Sequence, residues 1–178
     1  MPEFYETLSA PWRLRYVRSL APAGNDEACF LCKYWSAPEH DRTNHVIWRG
    51  PACLVALNLF PYNNGHVLIA PGAHKGSLDA FTDAELTEMI RAVRDIQRLL
   101  TAVLRPHGYN VGMNVNRCAG AGLPDHLHAH VVPRWEGDTN FMCVTGNVRV
   151  IPQDMDTLYA ELAAAAPRLG LPPLAGST

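Results

Sequence analysis

The chain has 178 residues, of which 48% are hydrophobic and 18% are charged, and its formal net charge at pH 7 is −2. This length and composition predict one globular domain over residues 1–178 and argue against a disordered chain. The small net charge gives no electrostatic reason to expect nucleic acid or a membrane surface as a partner, and no stretch approaches the roughly 20 apolar residues of a membrane span, so a small ligand is favoured.

The first 28 residues are predicted to form an arm ahead of the domain core. They begin with acidic and aromatic side chains instead of the basic start and apolar run of a signal peptide, so we expect a cytoplasmic protein. The five cysteines are an odd number, which argues against a disulfide framework and favours reduced thiols or metal ligands. Cys29 and Cys32 have the spacing of one half of a tetrahedral zinc site, which histidines would have to complete. A thioredoxin-like redox pair and two buried apolar cysteines are the alternatives.

Strands and one long helix follow in chain order. Apolar runs separated by turn residues predict an antiparallel meander of strands at residues 46–49, 53–59 and 66–70, and a further strand at 109–115. Thr82-Asp83-Ala84-Glu85 is a capping box followed by apolar residues at helical spacing, which predicts a helix from about 83 to 104. A last helix is predicted at about 154–166, within a C-terminal extension that covers 142–178. This order indicates an α+β fold with an antiparallel sheet.

Three histidines alternate with apolar residues in His126-Leu127-His128-Ala129-His130. Because side chains on a strand alternate between faces, a strand here would put the three imidazoles on one face and the apolar residues, including Val131, on the core face. We expect Pro133 to end this strand, since proline is poorly tolerated in a ladder. Three imidazoles together are costly to bury unless they ligate a metal or take part in nucleophilic or acid–base catalysis, and the spacing does not separate these uses.

The segment before the histidines, residues 114–122, is rich in small residues. Gly120 and Gly122 would let backbone N–H groups approach a phosphate, and the asparagines of this segment would add side-chain donors. A plain turn is the default interpretation of such a loop. Its position directly before three histidines favours an anion-binding role.

The run His126-Leu127-His128-Ala129-His130-Val131-Val132 resembles the His-φ-His-φ-His-φ-φ signature of the histidine triad (HIT) superfamily. Gly65-His66-Val67-Leu68-Ile69-Ala70-Pro71 is similar to the upstream strand of that family. Two further segments resemble its bacterial diadenosine tetraphosphate phosphorylase branch, namely Ala10-Pro11-Trp12-Arg13 and Pro133-Arg134-Trp135-Glu136-Gly137-Asp138-Thr139-Asn140-Phe141. The resemblance implies a HIT-like core over residues 29–141, with about five strands, one long helix and a C-terminal helix, and a homodimer.

The resemblance further implies nucleotidyl transfer from a dinucleoside polyphosphate. His128 would be the nucleophile that forms a nucleotidyl-histidine intermediate, and His130 and His66 would contact phosphate oxygens and assist the leaving group. Inorganic phosphate as the acceptor would make the protein a phosphorylase, and water would make it a hydrolase.

The resemblance also implies a nucleotide-binding set and a structural zinc site. Asn58 would contact the ribose, leucines would wall the base and the loop before the histidines would contact phosphate; the residues are Leu31, Leu57, Asn58, Leu59, Asn114, Gly120 and Gly122. The implied zinc ligands are Cys29, Cys32, His74 and His126, and four protein ligands would make the site closed and structural.

Three other functions are considered beside this one. A hydrolase of nucleoside phosphoramidates or adenylylated conjugates would use the same histidines. A non-catalytic module would bind adenosine nucleotides without turnover. A redox protein would use Cys29 and Cys32 as a dithiol.

Overall fold

The computed structural model describes residues 29–139 and 151–172. The predicted N-terminal arm lies outside these residues, as do positions 140–150 and 173–178 of the predicted core and extension. Within the described residues, five strands form one antiparallel sheet in the order β1-β2-β3-β5-β4. The strands are β1 (Val46–Arg49), β2 (Cys53–Leu57), β3 (Val67–Pro71), β4 (Gly108–Met113) and β5 (Ala129–Arg134). None of the described helices is long and apolar enough to cross a membrane.

Two helices cover one face of the sheet, and both lie where the sequence predicts helices. Helix α2 (Asp83–Leu104) starts at a capping box in which the hydroxyl of Thr82 accepts from the N–H of Glu85. Helix α3 (Met155–Ala165) packs beside it, and the hydroxyl of Tyr159 donates to the carbonyl of Val46 over 2.9 Å. Their buried side chains share one hydrophobic core with alternate residues of β2, β3 and β5. The α+β class, the antiparallel sheet, the long helix and the C-terminal helix are therefore confirmed.

A short helix on the opposite face was not predicted. Helix α1 (Phe30–Ser36) has only seven residues and no capping side chain, so its sequence carries little helical signal. Leu31 and Tyr34 pack on β-strand residues of this face. Arg49 on β1 fixes the end of the helix, because its guanidinium donates to the carbonyls of Tyr34 and Trp35 and to the buried carboxylate of Asp41.

The histidine run differs from its prediction in two ways. Only His130 lies in β5, while His126 and His128 precede it. The predicted alternation holds nevertheless, since the residues between and after the histidines are buried in the core shared with α2: Leu127, Ala129 and Val131.

Pro133 does not end the strand as predicted, because β5 continues to Arg134 and Pro133 pairs with Tyr109 on β4. The carbonyl of Pro133 accepts from the Asn63 amide on the other side of the strand. In a strand, the N–H and C=O of one residue point to the same side, so the missing donor also faces away from β4. On that side β3 pairs with β5 only at residues 129–131, and proline therefore leaves no ladder partner unsatisfied.

Candidate active site and metal centre

Two cysteines and two histidines from three parts of the chain meet at the N-terminal end of α1. The Sγ atom of Cys29 lies 3.2 Å from Nδ1 of His126, and Sγ of Cys32 lies 3.4 Å from the same nitrogen. The Cys32 sulfur is also 3.1 Å from Nδ1 of His74. All four candidate ligand atoms lie within 4.8 Å of one another, so these residues form a cluster able to hold a metal ion.

The ring of His126 is oriented by the backbone. Its Nε2 lies 2.9 Å from the carbonyl oxygen of Pro71 at the end of β3. Because a carbonyl only accepts, Nε2 carries the hydrogen, and Nδ1 presents its lone pair to the two sulfurs. The N–H of Leu127 donates to the carbonyl of Lys75 over 2.7 Å, which joins the loop carrying His74 to the segment carrying His126.

The donor set suits zinc. Two sulfurs and two imidazole nitrogens form a Cys₂His₂ set, and a tetrahedral zinc ion would separate its sulfur and nitrogen ligands by about 3.5 Å. The three sulfur–nitrogen distances of 3.1, 3.2 and 3.4 Å are close to that separation. Cys29 and His126 are buried, and Sγ of Cys29 and Nδ1 of His126 face each other.

His128 follows the metal centre with its ring fixed in one tautomer. Its Nδ1 lies 2.8 Å from the carbonyl oxygen of His126 and must donate to it, so the lone pair of the neutral ring is on Nε2. The side chain is buried, with 7% of its surface exposed. Burial lowers the pKa of His128 below its ordinary value, against a smaller opposing effect of the bond to the His126 carbonyl. The ring is therefore neutral at pH 7 and nucleophilic at Nε2.

His66 and His130 form a second pair beside His128. Nε2 of His66 lies 3.0 Å from Nδ1 of His130, and the rings of His128 and His130 have their centroids 4.8 Å apart. Burial, and then repulsion by the neighbouring His128, lowers the pKa of His130 to about 4. Within the described part of the chain, Nε2 of His130 is a buried atom without a hydrogen-bond partner.

The chain before His66 requires glycine. Gly65 has a φ of +72°, and a Cβ atom there would lie 2.5 Å from Cδ1 of Leu104 on α2. The positive φ disfavours other residues and a Cβ would crowd Leu104 on α2, so Gly65 fixes the turn that places His66 directly before β3.

Of the predicted nucleotide-binding residues, Asn58 lies at the histidines. Its Nδ2 is 3.2 Å from Nδ1 of His66. Leu31 and Leu57 are 0% and 3% exposed and pack in the cores on the two faces of the sheet, so their contact with a base stays a prediction. Leu59 is 48% exposed, next to a more exposed Phe60.

The loop before the histidines makes a short helical turn at Arg117–Ala119. Asn114 directly follows Met113, which pairs with Ala129, so the loop starts beside the histidine segment. Gly120 has a φ of +85°, and its N–H donates to the carbonyl of Arg117. That N–H therefore closes the turn, while Gly122 lies exposed beyond it, and the contact of both glycines with phosphate stays a prediction.

Sequence reasoning missed the part that Tyr62 plays in the site. Its backbone N–H donates to Nδ1 of His66 over 3.0 Å, and its ring lies over the rings of His66 and His130 with centroids 4.6 and 5.8 Å away. The segment 61–65 has the composition of a turn, which predicts its course but not which N–H group points at a histidine.

Comparison with known proteins points to one family. Residues 39–137, more than half of the chain, match the HIT domain family. The AP-4-A phosphorylase of Mycobacterium tuberculosis is 38% identical over 152 residues, which cover 83% of this chain and 77% of the relative. The bis(5'-nucleosyl)-tetraphosphatase [asymmetrical] of Schizosaccharomyces pombe is 32% identical over 53% of this chain and 52% of its own.

A solved structure shows the same fold. The crystal structure of a zinc-bound histidine triad family protein from Mycobacterium smegmatis superposes with a TM-score of 0.67 at 26% identity, covering 82% of this chain and 98% of the other. The histidines, the sheet that carries them and the matched residues lead to one conclusion. The chain belongs to the HIT domain family.

Proposed function

We propose that this protein transfers a nucleoside monophosphate from a dinucleoside polyphosphate, such as diadenosine tetraphosphate, through a covalent bond to His128. The observation that carries the proposal is the bond between Nδ1 of His128 and the carbonyl of His126, which leaves Nε2 as the nucleophilic atom. The names of the M. tuberculosis and S. pombe relatives support this class of substrate.

The first step forms a bond between Nε2 of His128 and the α-phosphorus and breaks the bond from that phosphorus to the bridging oxygen. The leaving group is a nucleoside polyphosphate. No proton has to leave His128 before the attack, because its Nε2 is unprotonated. The ring becomes positively charged as the bond forms, and the carbonyl of His126 stabilises that charge through the Nδ1 hydrogen.

The second step transfers the nucleotidyl group to an acceptor and releases His128. With inorganic phosphate, a phosphate oxygen bonds to phosphorus, the N–P bond breaks and a nucleoside diphosphate leaves. With water, a nucleoside monophosphate and a proton leave. In both steps His130 would donate a hydrogen bond to a phosphate oxygen, with His66 behind it.

Nucleotide contacts are proposed for half-buried and exposed residues near the histidines. Leu59 is the predicted leucine with surface open to a base, and Asn114, Gly120 and Gly122 belong to the loop that would enclose the phosphates. The orientation of these groups toward a bound nucleotide is part of the proposal.

Zinc is proposed as a structural ion held by Cys29, Cys32, His74 and His126. When bound, it would cross-link α1, the loop after β3 and the segment leading into β5, and with four protein ligands it would leave no position for substrate. The chemistry at phosphorus is therefore assigned to the histidines alone. A homodimer and a cytoplasmic location remain predictions from the sequence, and light scattering of the purified protein tests the first.

Product analysis with diadenosine tetraphosphate tests the function. A phosphorylase gives ADP and ATP when inorganic phosphate is present. A hydrolase gives AMP and ATP whether or not inorganic phosphate is present. His128→Gly is expected to abolish turnover with the fold retained, and His40→Ala, at an exposed histidine outside the site, is the matched control. Retained turnover in His128→Gly would contradict the covalent mechanism through His128. Turnover restricted to nucleoside phosphoramidates, or tight nucleotide binding without turnover, contradicts the substrate assignment.

A further inference from the structure

We propose that Asn58 is a positioning residue that acts through His66 to set which nitrogen of His130 carries a hydrogen. The proposal deepens the proposed function and rests on it for its catalytic consequence, whereas the hydrogen positions themselves concern the free protein. It differs from the ribose contact that the family resemblance implies for Asn58.

The orientation of the Asn58 amide is fixed by its neighbour in the chain. The N–H of Phe60 donates to Oδ1 of Asn58 over 3.0 Å. The amide oxygen is thereby identified, and the Nδ2 group, which carries two hydrogens, is the one directed at His66.

Two donors therefore point at one nitrogen of His66. Nδ1 of His66 lies 3.2 Å from Nδ2 of Asn58 and 3.0 Å from the backbone nitrogen of Tyr62. A hydrogen on Nδ1 would face both donors, which disfavours the other tautomer and the cation. His66 is therefore neutral and carries its hydrogen on Nε2.

The hydrogen on His66 decides the tautomer of His130. Nε2 of His66 lies 3.0 Å from Nδ1 of His130 and donates to it, so the neutral His130 ring carries its hydrogen on Nε2. That N–H is buried and has no partner among the described residues. A buried unsatisfied donor is costly unless a ligand completes it, and a phosphate oxygen has the chemistry to do so.

The result is a complementary pair of neighbouring rings. His128 presents a lone pair on Nε2, and His130 presents an N–H on the equivalent atom. The first suits attack on phosphorus, and the second suits stabilisation of the charge that develops on the phosphoryl oxygens. Asn58 contributes to this arrangement without touching the reacting atoms.

Nitrogen-15 NMR of the histidine rings, combined with kinetics, tests the proposal. In the wild-type protein without nucleotide, we expect Nδ1 of His66 to be unprotonated and Nε2 of His66 and His130 to be protonated. Because an aspartate carboxylate only accepts, Asn58→Asp should move a hydrogen onto Nδ1 of His66 and lower kcat on the order of 10²-fold. Asn110→Asp is the matched control, since Asn110 accepts from Arg134 through its oxygen and lies on β4 away from His66.

The outcomes separate a positioning role from a ribose contact. A ribose contact predicts a raised KM, an unchanged kcat and the wild-type NMR signals of His66 in Asn58→Asp, and that result overturns the proposal. If Asn58→Asp does not fold, Asn58→Ala removes one of the two donors and is expected to lower kcat about tenfold with little change in KM; a rise in KM alone again overturns it. The NMR measurement is made on the free protein and needs no turnover. The expected hydrogen positions in a protein without activity on diadenosine tetraphosphate would therefore contradict the proposed function and not the hydrogen positions.

Discussion

Nδ1 of His128 donates to the backbone carbonyl of His126, whose own imidazole faces Cys29 and Cys32. One residue therefore belongs to two sites: its side chain is a candidate metal ligand and its main chain orients the candidate nucleophile. Any change that displaces His126 is expected to alter the orientation of the His128 ring, because one hydrogen bond joins the two residues.

Loss of the metal centre should consequently reduce activity without touching the nucleophile. Cys32→Ser and His74→Ala are expected to lose zinc and to lower kcat about 10- to 100-fold, because His126 loses its partners and the carbonyl holding His128 shifts. Metal analysis and steady-state kinetics measure the two effects. Cys118→Ser, at an exposed cysteine, should keep its zinc. Full kcat in zinc-free protein would show that His128 is oriented independently of the metal, and stoichiometric zinc in the wild type would exclude a free redox dithiol.

The depressed pKa of His130 predicts a loss of stability in acid. Its ordinary pKa is 6.5 and the folded protein lowers it to about 4, so between these values the unfolded chain binds a proton that the folded protein excludes. The free energy of unfolding should therefore fall as the pH falls from about 6.5 to about 4. The contribution of this partly exposed ring at pH 5 is on the order of 1 kcal/mol.

Urea unfolding at pH 7 and pH 5 measures this effect. His130→Asn should lose less stability than the wild type between the two pH values, whereas His40→Asn, at an exposed histidine, should lose as much as the wild type. The metal site is common to the three proteins and cancels in the comparison. Equal losses in all three would contradict the prediction.

Helix α1 approaches the sheet so closely that Gly72 has no room for a methyl group. A Cβ atom there would lie 2.3 Å from Cε2 of Trp35. Gly72→Ala is expected to displace α1 and to lower the free energy of unfolding by about 1–3 kcal/mol. Gly108→Ala is the control, because nothing lies within 4 Å of a Cβ at that position and its effect should be small. Denaturant titration measures both, and equal stability of the two variants would contradict the close packing.

Arg49 is expected to contribute more than an ordinary surface arginine. Its Nε donates to Asp41 over 2.7 Å, and that carboxylate is almost completely buried. Arg49→Met leaves Asp41 without its cation and should destabilise the protein by about 3 kcal/mol. Arg94→Met breaks the exposed pair with Asp95 and should cost less than about 1 kcal/mol. Similar losses in the two variants would show that the Asp41 pair is no stronger than a surface pair.

The parts of the fold with a strong local signal were predictable from the sequence. The capping box at Thr82 and the helical spacing after it gave the bounds of α2, and the alternation of histidines with Leu127 and Ala129 gave the two faces of the segment. Helix α1 could not be found in this way, because seven residues without a cap are held by Arg49 and by packing on the sheet instead of by their own propensity. The prediction that Pro133 ends the strand was wrong because a missing N–H matters only on a side where another strand pairs. A local sequence pattern does not show where neighbouring strands lie.

The candidate site was predictable in its residue types but not in its hydrogen-bond roles. The three alternating histidines and the pair Cys29 and Cys32 were found from their spacing, and the structure brings His74 to the cysteines. The roles of Asn58 and Tyr62 depend on which atoms face Nδ1 of His66, and side-chain identity does not specify that. Leucine suits both a binding wall and a core, so residue type alone does not decide between these roles for Leu31 and Leu57, and their contact with a base stays a prediction.

Three main-chain carbonyls orient the candidate catalytic segment. That of Pro71 accepts from the ring of His126, that of Lys75 accepts from the N–H of Leu127, and that of His126 accepts from His128. Every residue type supplies a carbonyl, so these contacts survive most substitutions at the positions that provide them. Substitutions can therefore change the side chains proposed to contact a nucleotide while these backbone contacts keep the orientation of the candidate nucleophile.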